Sequence, residues 1–139
     1  MNEASVITGN EPKADEKTLL DKKKTVFLFS PDLDLCTSLT LLLQNRFKIV
    51  TTTQFEFVHK IVDTLKPHIF IADLKPSEKL VDSITRLKTD FPNLKIILFL
   101  DSWINYKKIE SSLMKIADAI FYQPIDLIEI NKKLDLLIN

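Results

Sequence analysis

Five short apolar runs alternate with helix-like patterns along the chain, and this alternation constrains the fold more than any other feature of the sequence. The runs are TVFLF (25–29), FKIVTT (47–52), HIFIADL (68–74), KIILFL (95–100) and DAIFYQ (118–123). Continuous apolar runs, without strict polar alternation, are typical of parallel strands that are covered on both faces. The second run is more polar than the others, which favours a position near an edge of the sheet.

Each run is followed by apolar residues at helical spacing. These stripes are Leu35, Leu39, Leu42 and Leu43; Val58, Ile61, Val62 and Leu65; Leu80, Ile84 and Leu87; Ile109, Leu113 and Ile116; and Leu127, Ile130, Leu134 and Leu137. Regular β–α alternation predicts an α/β fold with a five-stranded doubly wound parallel sheet in the flavodoxin-like order 2-1-3-4-5. The ligand crevice of that fold lies at the carboxyl ends of the first and third strands, which end near Ser30 and Asp73.

Composition places the chain among ordinary globular proteins and narrows its partners. We expect residues 1–23, which are polar and lack periodicity, to form a disordered tail, and residues 24–139 to form one domain. A formal net charge of +0 argues against a nucleic-acid partner. We expect no membrane span and no signal peptide, since no apolar run is long enough. The single cysteine, Cys36, fits a reducing environment, so we expect a cytoplasmic location.

Two local stretches resemble the receiver domains of two-component response regulators, and the resemblance covers residues 24–139. HIFIADLKP is similar to the third strand of a receiver, which ends in the phosphoacceptor aspartate, and this places Asp73 at the acceptor position. ADAIFYQPID is similar to the fifth strand with its Lys-Pro dipeptide. The resemblance implies a receiver fold and a role in phosphorelay signalling. It also implies that the chain is no enzyme in its own right.

The sequence departs from the receiver pattern at four positions that the phosphotransfer reaction uses. The resemblance aligns the acidic Mg²⁺-binding pair with Ser30 and Pro31, and proline has no side-chain oxygen. The hydroxyl position aligns with Leu100, and the lysine position aligns with Gln123. We therefore expect no metal site and no cofactor, with Mg²⁺ binding weak or absent, because Asp73 alone of these groups remains.

Two acidic residues keep alternative interpretations open. Asp32 is a shifted acid that could hold a cation together with Asp73, but it is equally placed to cap the first helix. Asp73 is either a working phosphoacceptor or a polar strand end. Because QPID keeps the turn before the last helix, we also predict a cis bond between Gln123 and Pro124.

Several aromatic and apolar residues mark a candidate partner face. Trp103 and Tyr106 follow the fourth strand, and Ile120 and Tyr122 lie on the fifth. In receivers, the fourth helix, fifth strand and fifth helix form the usual surface for partners and dimers. An exposed Trp103 would anchor such an interface; the alternative is that it folds over the vacant phosphate pocket.

These observations favour a receiver-like signalling domain that acts by protein–protein interaction and independently of phosphorylation. The partner would be a histidine kinase, a separate output protein or a second copy bound through the partner face. One alternative is a stand-alone receiver that is still phosphorylated on Asp73 at a remodelled site. Another is a module that binds a small ligand in the flavodoxin-like crevice.

Overall fold

The computed structural model describes residues 23–101 and 107–138, and strands and helices alternate throughout them. The strands are β1 (Thr25–Phe29), β2 (Lys48–Thr52), β3 (Ile69–Asp73), β4 (Lys95–Leu100) and β5 (Ala119–Tyr122). The helices are α1 (Leu33–Leu43), α2 (Val58–Leu65), α3 (Glu78–Asp90), α4 (Lys107–Ile116) and α5 (Leu127–Ile138). Residues 1–22 of the predicted tail lie outside the described residues, and so do Trp103 and Tyr106.

The strands form one parallel sheet in the order β2-β1-β3-β4-β5, which confirms the predicted fold class. Phe27 of β1 lies opposite Phe70 of β3, and Ile71 of β3 lies opposite Ile97 of β4. The more polar strand β2 is at an edge, as its composition predicts. Parallel neighbours require crossovers, and here each crossover is a helix. The carboxyl ends of β1, β3 and β4 consequently meet at one edge of the sheet.

The sheet separates two apolar layers, which explains why its central strands are apolar on both faces. On one face α1 and α5 cover alternate strand residues; the buried residues of this layer are Val26, Leu28, Cys36, Leu39, Leu43, Phe47, Ile69, Ile71, Ile97, Phe99, Ile130 and Leu134. On the other face α2, α3 and α4 cover a second set, which includes Phe27, Phe70, Ile96, Leu98 and Leu100. All five residues of β1 are buried. Burial on both faces is the pattern expected of central parallel strands.

Local side-chain chemistry sets the helix ends. The Asp32 side chain accepts from the backbone N–H groups of Asp34 and Leu35 at the start of α1, and Ser77 accepts from Leu80 N–H at the start of α3. Both contacts satisfy donors that a helix leaves without an internal partner. At the end of α2, Lys66 takes a left-handed conformation with φ of 53°, a role that glycine often fills.

Three details differ from the sequence-based prediction. Leu42, placed on the apolar stripe of α1, is 37% exposed, whereas Leu39 and Leu43 of the same stripe are buried. Phe47 is buried but precedes β2, because its N–H donates to Leu43 O at the end of α1. The 3-10 turn Phe55–Phe57 was not predicted; Phe55 packs edge-on against Phe29 and thereby joins the core.

Candidate functional site

The carboxyl-end edge of the sheet brings Ser30, Asp73 and Gln123 together around one carboxylate. Ser30 follows β1, Asp73 ends β3 and Gln123 follows β5. The Ser30 hydroxyl donates to Asp73 Oδ2 over 2.7 Å, and Gln123 Nε2 donates to Asp73 Oδ1 over 3.0 Å. Both oxygens of the carboxylate therefore accept a hydrogen bond from an uncharged side chain.

Ser30 is the most constrained residue of this site. It has no exposed surface, and its hydroxyl accepts from Asp32 N–H at 3.0 Å while it donates to Asp73. Its backbone N–H donates to Thr52 O at 3.2 Å, which continues the pairing of β1 with β2. Each polar group is thus used within the fold, as buried polar groups require.

Pro31 and Asp32 turn the chain from β1 into α1, and both are exposed. Oδ1 of Asp32 lies 3.0 Å from Asp34 N and 3.3 Å from Leu35 N, which makes Asp32 the N-cap of α1. Pro31 contributes neither an N–H nor a side-chain donor or acceptor. Only Asp32 and Asp73 therefore carry carboxylates among the site positions identified from the sequence.

Leu100 occupies the position that the resemblance aligns with the hydroxyl residue of receivers, and it is only 2% exposed. Its side chain belongs to the apolar layer beneath α3 and α4. Its carbonyl accepts from Gln123 N–H at 2.9 Å, and this contact ties the end of β4 to the end of β5. The Gln123–Pro124 peptide bond is cis, as predicted.

The donors at this edge can be compared with what a divalent cation needs. Mg²⁺ and Ca²⁺ prefer several oxygen ligands, carboxylates above all. Among residues 23–101 and 107–138, no three His, Cys, Asp or Glu side chains lie close enough together to hold a metal ion. Ser30 offers one hydroxyl, already engaged twice, where the receiver resemblance implies a carboxylate. The donor set therefore does not fit a receiver-type Mg²⁺ site.

Cys36 lies behind the site, on the core side of α1. Its Sγ is 3.7 Å from Ser30 O. Burial, with smaller contributions from the charges of Asp32 and Asp73, raises the pKa of the Cys36 thiol. A thiol with a raised pKa is a poor nucleophile at neutral pH, which supports a packing role for this residue.

The candidate partner face is described only in part. Ile120 and Tyr122 lie on β5; Ile120 packs against the apolar layer of α2, α3 and α4, while Tyr122 is 41% exposed. The Tyr122 hydroxyl donates to Glu110 Oε2 on α4. Burial and the bond to Glu110 together raise the pKa of Tyr122 to about 12.

Glu110 is the residue of this face that the sequence did not single out. It lies in the first turn of α4, where an acidic residue also interacts favourably with the helix dipole. Glu110 is one of several polar residues on an amphipathic helix, and nothing in the sequence pattern predicts that it contacts a tyrosine on a neighbouring strand. The contact depends on how α4 packs against β5.

Comparison with known proteins gives a structural likeness without a sequence match. No family model matches the chain, and no curated protein matches it in sequence. A response-regulator receiver domain from Bermanella marisrubri is 18% identical with a TM-score of 0.71, covering 85% of this chain and 100% of that one. A response regulator from Thermotoga maritima is 15% identical with a TM-score of 0.71, covering 84% and 98%. An orphan response regulator from H. pylori is 11% identical with a TM-score of 0.72, covering 84% and 97%.

These TM-scores, over more than four-fifths of this chain, agree with its five-stranded parallel α/β fold. At such low identity the likeness concerns the backbone, and the site residues of this chain must be judged by their own contacts. In the part of the chain that the structure describes, no helix is long and apolar enough to cross a membrane. The chain has the fold of response-regulator receiver domains, as its sequence resemblance predicts.

Proposed function

We propose that this chain is a receiver-like signalling domain that binds another protein and does not depend on phosphorylation. The observation that carries the proposal is that both carboxylate oxygens of Asp73 accept hydrogen bonds from uncharged side chains, those of Ser30 and Gln123. The fold supports a role in two-component signalling. The contacts of Asp73 support the proposal that this domain signals without accepting a phosphoryl group.

The charge balance around Asp73 supports this proposal. A carboxylate that attacks a phosphoryl donor must approach a group that is itself negative, and catalysis of such transfers depends on cations that offset the charge. Ser30 and Gln123 supply only neutral donors. We infer that Mg²⁺ binds weakly or not at all, and that no cofactor takes part.

Leu100 supports a fixed conformation. A ligand changes a two-state equilibrium only if it binds the two states differently. Leu100 has no hydroxyl to follow a phosphoryl group, and burial of such a side chain contributes roughly 1.5–3 kcal/mol to the folded state. The domain should therefore hold one conformation, and its partner should bind constitutively.

Phosphorylation is the decisive test. The purified chain is incubated with acetyl phosphate and Mg²⁺, and its intact mass is recorded beside that of Asp73→Asn treated in the same way. We expect no phosphoryl adduct on either protein. An adduct on the wild-type chain that is absent from Asp73→Asn would replace this proposal with the alternative of a remodelled but active receiver.

The partner face is proposed to consist of Ile120 and Tyr122 on β5, together with Trp103 and Tyr106, which precede α4 in the sequence. A histidine kinase or a separate output protein is the kind of partner that this surface would bind. Tyr122 offers an exposed aromatic ring with a fixed hydroxyl, a combination common at interface anchors.

Binding to each candidate partner can be measured by calorimetry for Trp103→Ala, Tyr122→Ala and Asp73→Asn. The first two should weaken binding, and Asp73→Asn should leave it unchanged. Phe57→Ala is the matched control, because Phe57 is a comparably exposed aromatic residue next to α2. Loss of binding in Asp73→Asn with full binding in Trp103→Ala would show that this face is wrongly assigned.

A further inference from the structure

An apolar groove lies at the edge of the sheet where the strands begin, opposite the edge that carries Asp73. The end of α2, the residues before β3 and the turn between α3 and β4 enclose about 390 Å³; the apolar residues of this lining are Val62, Pro67, Phe91, Pro92 and Leu94. A smaller depression of about 150 Å³ lies beside the groove, because His68 and Asn93 line both. Apolar surface of this kind is stabilised when another apolar group covers it.

The chain enters the sheet beside this groove. Lys24, directly before β1, lines the smaller depression. Thr25 O accepts from His68 N–H at 3.0 Å, and His68 O accepts from Lys95 N–H at 3.1 Å, so the starts of β1, β3 and β4 follow one another in a row. Neighbouring strands lie about 4.8 Å apart, which places the start of β1 roughly 10 Å from the start of β4.

Leu19 and Leu20 are the apolar residues that precede this entry point. They are the only large apolar side chains in residues 8–22. Leu20 is four residues before Lys24. Four extended residues span at most about 13–14 Å, which is enough to cross from β1 to β4. Because the segment is tethered next to the groove, its effective concentration there is on the order of millimolar, which favours it over a free chain of similar sequence.

The groove and the depression beside it carry mostly positive charge. Among the described residues that line them, the charged side chains are Lys24, Lys66, Lys95 and Asp90. Asp90 is paired with His59, and Lys66 is paired with Asp63. Lys24 and Lys95 make no ion pair with another described residue, so an acidic side chain that passes them would be favoured.

Asp21 supplies such an acid. It lies between Leu20 and Lys24 in the sequence, so a segment that runs from Lys24 into the groove carries Asp21 past Lys24 and Lys95. Lys22 adds one positive charge next to it. Exposed ion pairs contribute little stability, so the charges are compatible with this path and the leucines supply the affinity.

We propose that residues 17–22, KTLLDK, lie across the edge of the sheet where the strands begin, with the side chain of Leu20 in the groove. For these six residues the proposal replaces the expectation of a disordered tail, and it leaves residues 1–16 as expected. The segment acts as an intramolecular cap that keeps other proteins out of the groove. Because the groove and Asp73 lie at opposite edges of the sheet, this proposal and the proposed function can fail separately.

Amide proton–nitrogen correlation spectra of the full chain test the proposal. Leu20→Ser should shift the signals of His68, Asn93 and Leu94, which line the groove. Val6→Ser is the matched control, because Val6 is also an apolar residue before β1 but lies outside the proposed segment. The proposal is overturned if Leu20→Ser leaves the groove signals unchanged, or changes them no more than Val6→Ser does.

Disulfide cross-linking locates the segment. In a Cys36→Ala background, Leu20→Cys is combined either with Asn93→Cys in the groove or with Asn45→Cys just after α1. Both asparagines are exposed, and Lys23 Nζ lies 3.4 Å from Gln44 O, so Asn45 is also near the point where the segment joins the domain.

Under mild oxidation, the pair with Asn93→Cys should form its disulfide roughly tenfold faster or more, since docking raises the effective concentration of the two thiols. Equal rates, or a faster reaction of the pair with Asn45→Cys, would overturn the proposal. A cross-link that joins two chains, seen at twice the 16.0 kDa monomer mass, would also overturn it, because a second copy would then supply the occupant of the groove.

Discussion

Gln123 Nε2 lies 3.0 Å from Asp73 Oδ1, so an uncharged amide touches the carboxylate at the position where the receiver resemblance implies a lysine. An amide can donate to the carboxylate but cannot balance its charge. The opposite oxygen accepts from Ser30, which anchors the side chain from both sides. Asp73 at the end of β3 is therefore tied to the residues that follow β1 and β5.

Ser30→Ala should destabilise the fold by about 1–3 kcal/mol, because it leaves the Asp32 N–H and one oxygen of Asp73 without their buried partner. Urea unfolding followed by circular dichroism measures the change. Ser111→Ala, at an exposed position on α4, serves as the control and should change stability by less than about 0.5 kcal/mol. Equal effects of the two substitutions would show that the hydrogen bonds of the Ser30 hydroxyl make no net contribution to the free energy of unfolding.

Titration of the wild-type chain with Mg²⁺ in a calorimeter should give no binding in the sub-millimolar range. Pro31→Asp should bind Mg²⁺ more tightly, because it restores a second carboxylate near Asp73, and the added affinity should disappear in the Pro31→Asp, Asp73→Ala double variant. Sub-millimolar binding by the wild-type chain that is lost in Asp73→Ala would contradict the weak-metal expectation.

Tyr122 should ionise only near pH 12, as its pKa of about 12 requires. The absorbance of tyrosinate is followed in a Tyr106→Phe background, so that the signal reports Tyr122 alone. Glu110→Gln should lower the pKa, because it removes a charged acceptor, but not to the ordinary value of 10, because burial, the first of the causes, remains. An unchanged pKa in Glu110→Gln would show that the two side chains do not interact in solution.

His68 should make the fold less stable in mildly acidic solution. Its Nδ1 accepts from Thr25 N–H at 3.0 Å, which requires the neutral ring, and partial burial together with Lys24 lowers the pKa of His68 below 6.5. At a pH between the lowered pKa of folded His68 and the unfolded value of 6.5, the unfolded chain binds more protons than the folded chain. The contribution of neutral His68 to the free energy of unfolding is therefore complete above pH 6.5 and declines as the pH falls below that value.

The measurement for His68 compares urea midpoints between pH 5 and pH 8 for the wild-type chain and His68→Asn, whose side-chain oxygen can accept the same N–H without titrating. The urea midpoint of the wild-type chain should fall relative to that of His68→Asn as the pH falls below 6.5. Parallel pH profiles would mean that His68 does not couple protonation to folding.

The fold could be predicted closely because it depends on patterns that are local in sequence. The runs 25–29 and 95–100 match β1 and β4 residue for residue, and the remaining strands differ only at their ends. The polar character of β2 gave its edge position. Period and composition report burial directly, and the order 2-1-3-4-5 was then taken from the flavodoxin-like pattern of five β–α units.

The site was predictable as a set of positions but not as a set of contacts. Strand ends placed Ser30 and Asp73 at one edge, since parallel strands bring their carboxyl ends together, and the receiver resemblance added Gln123 at the lysine position. That the Ser30 hydroxyl donates to Asp73, while also accepting from Asp32, depends on rotamers and on the exact turn after β1. The same limit applies to Tyr122 and Glu110, which are joined only by the packing of α4.

The central position of β1 has a consequence for how the chain folds as it is synthesised. β1 pairs with β2 on one side and with β3 on the other, and Phe29 meets Ala72 only after more than forty intervening residues have been made. Loop closure must precede these contacts, so a strand whose five residues are all buried in the folded domain leaves the ribosome before its second neighbour exists. This strand is therefore the segment of the nascent chain that chaperones have most reason to protect.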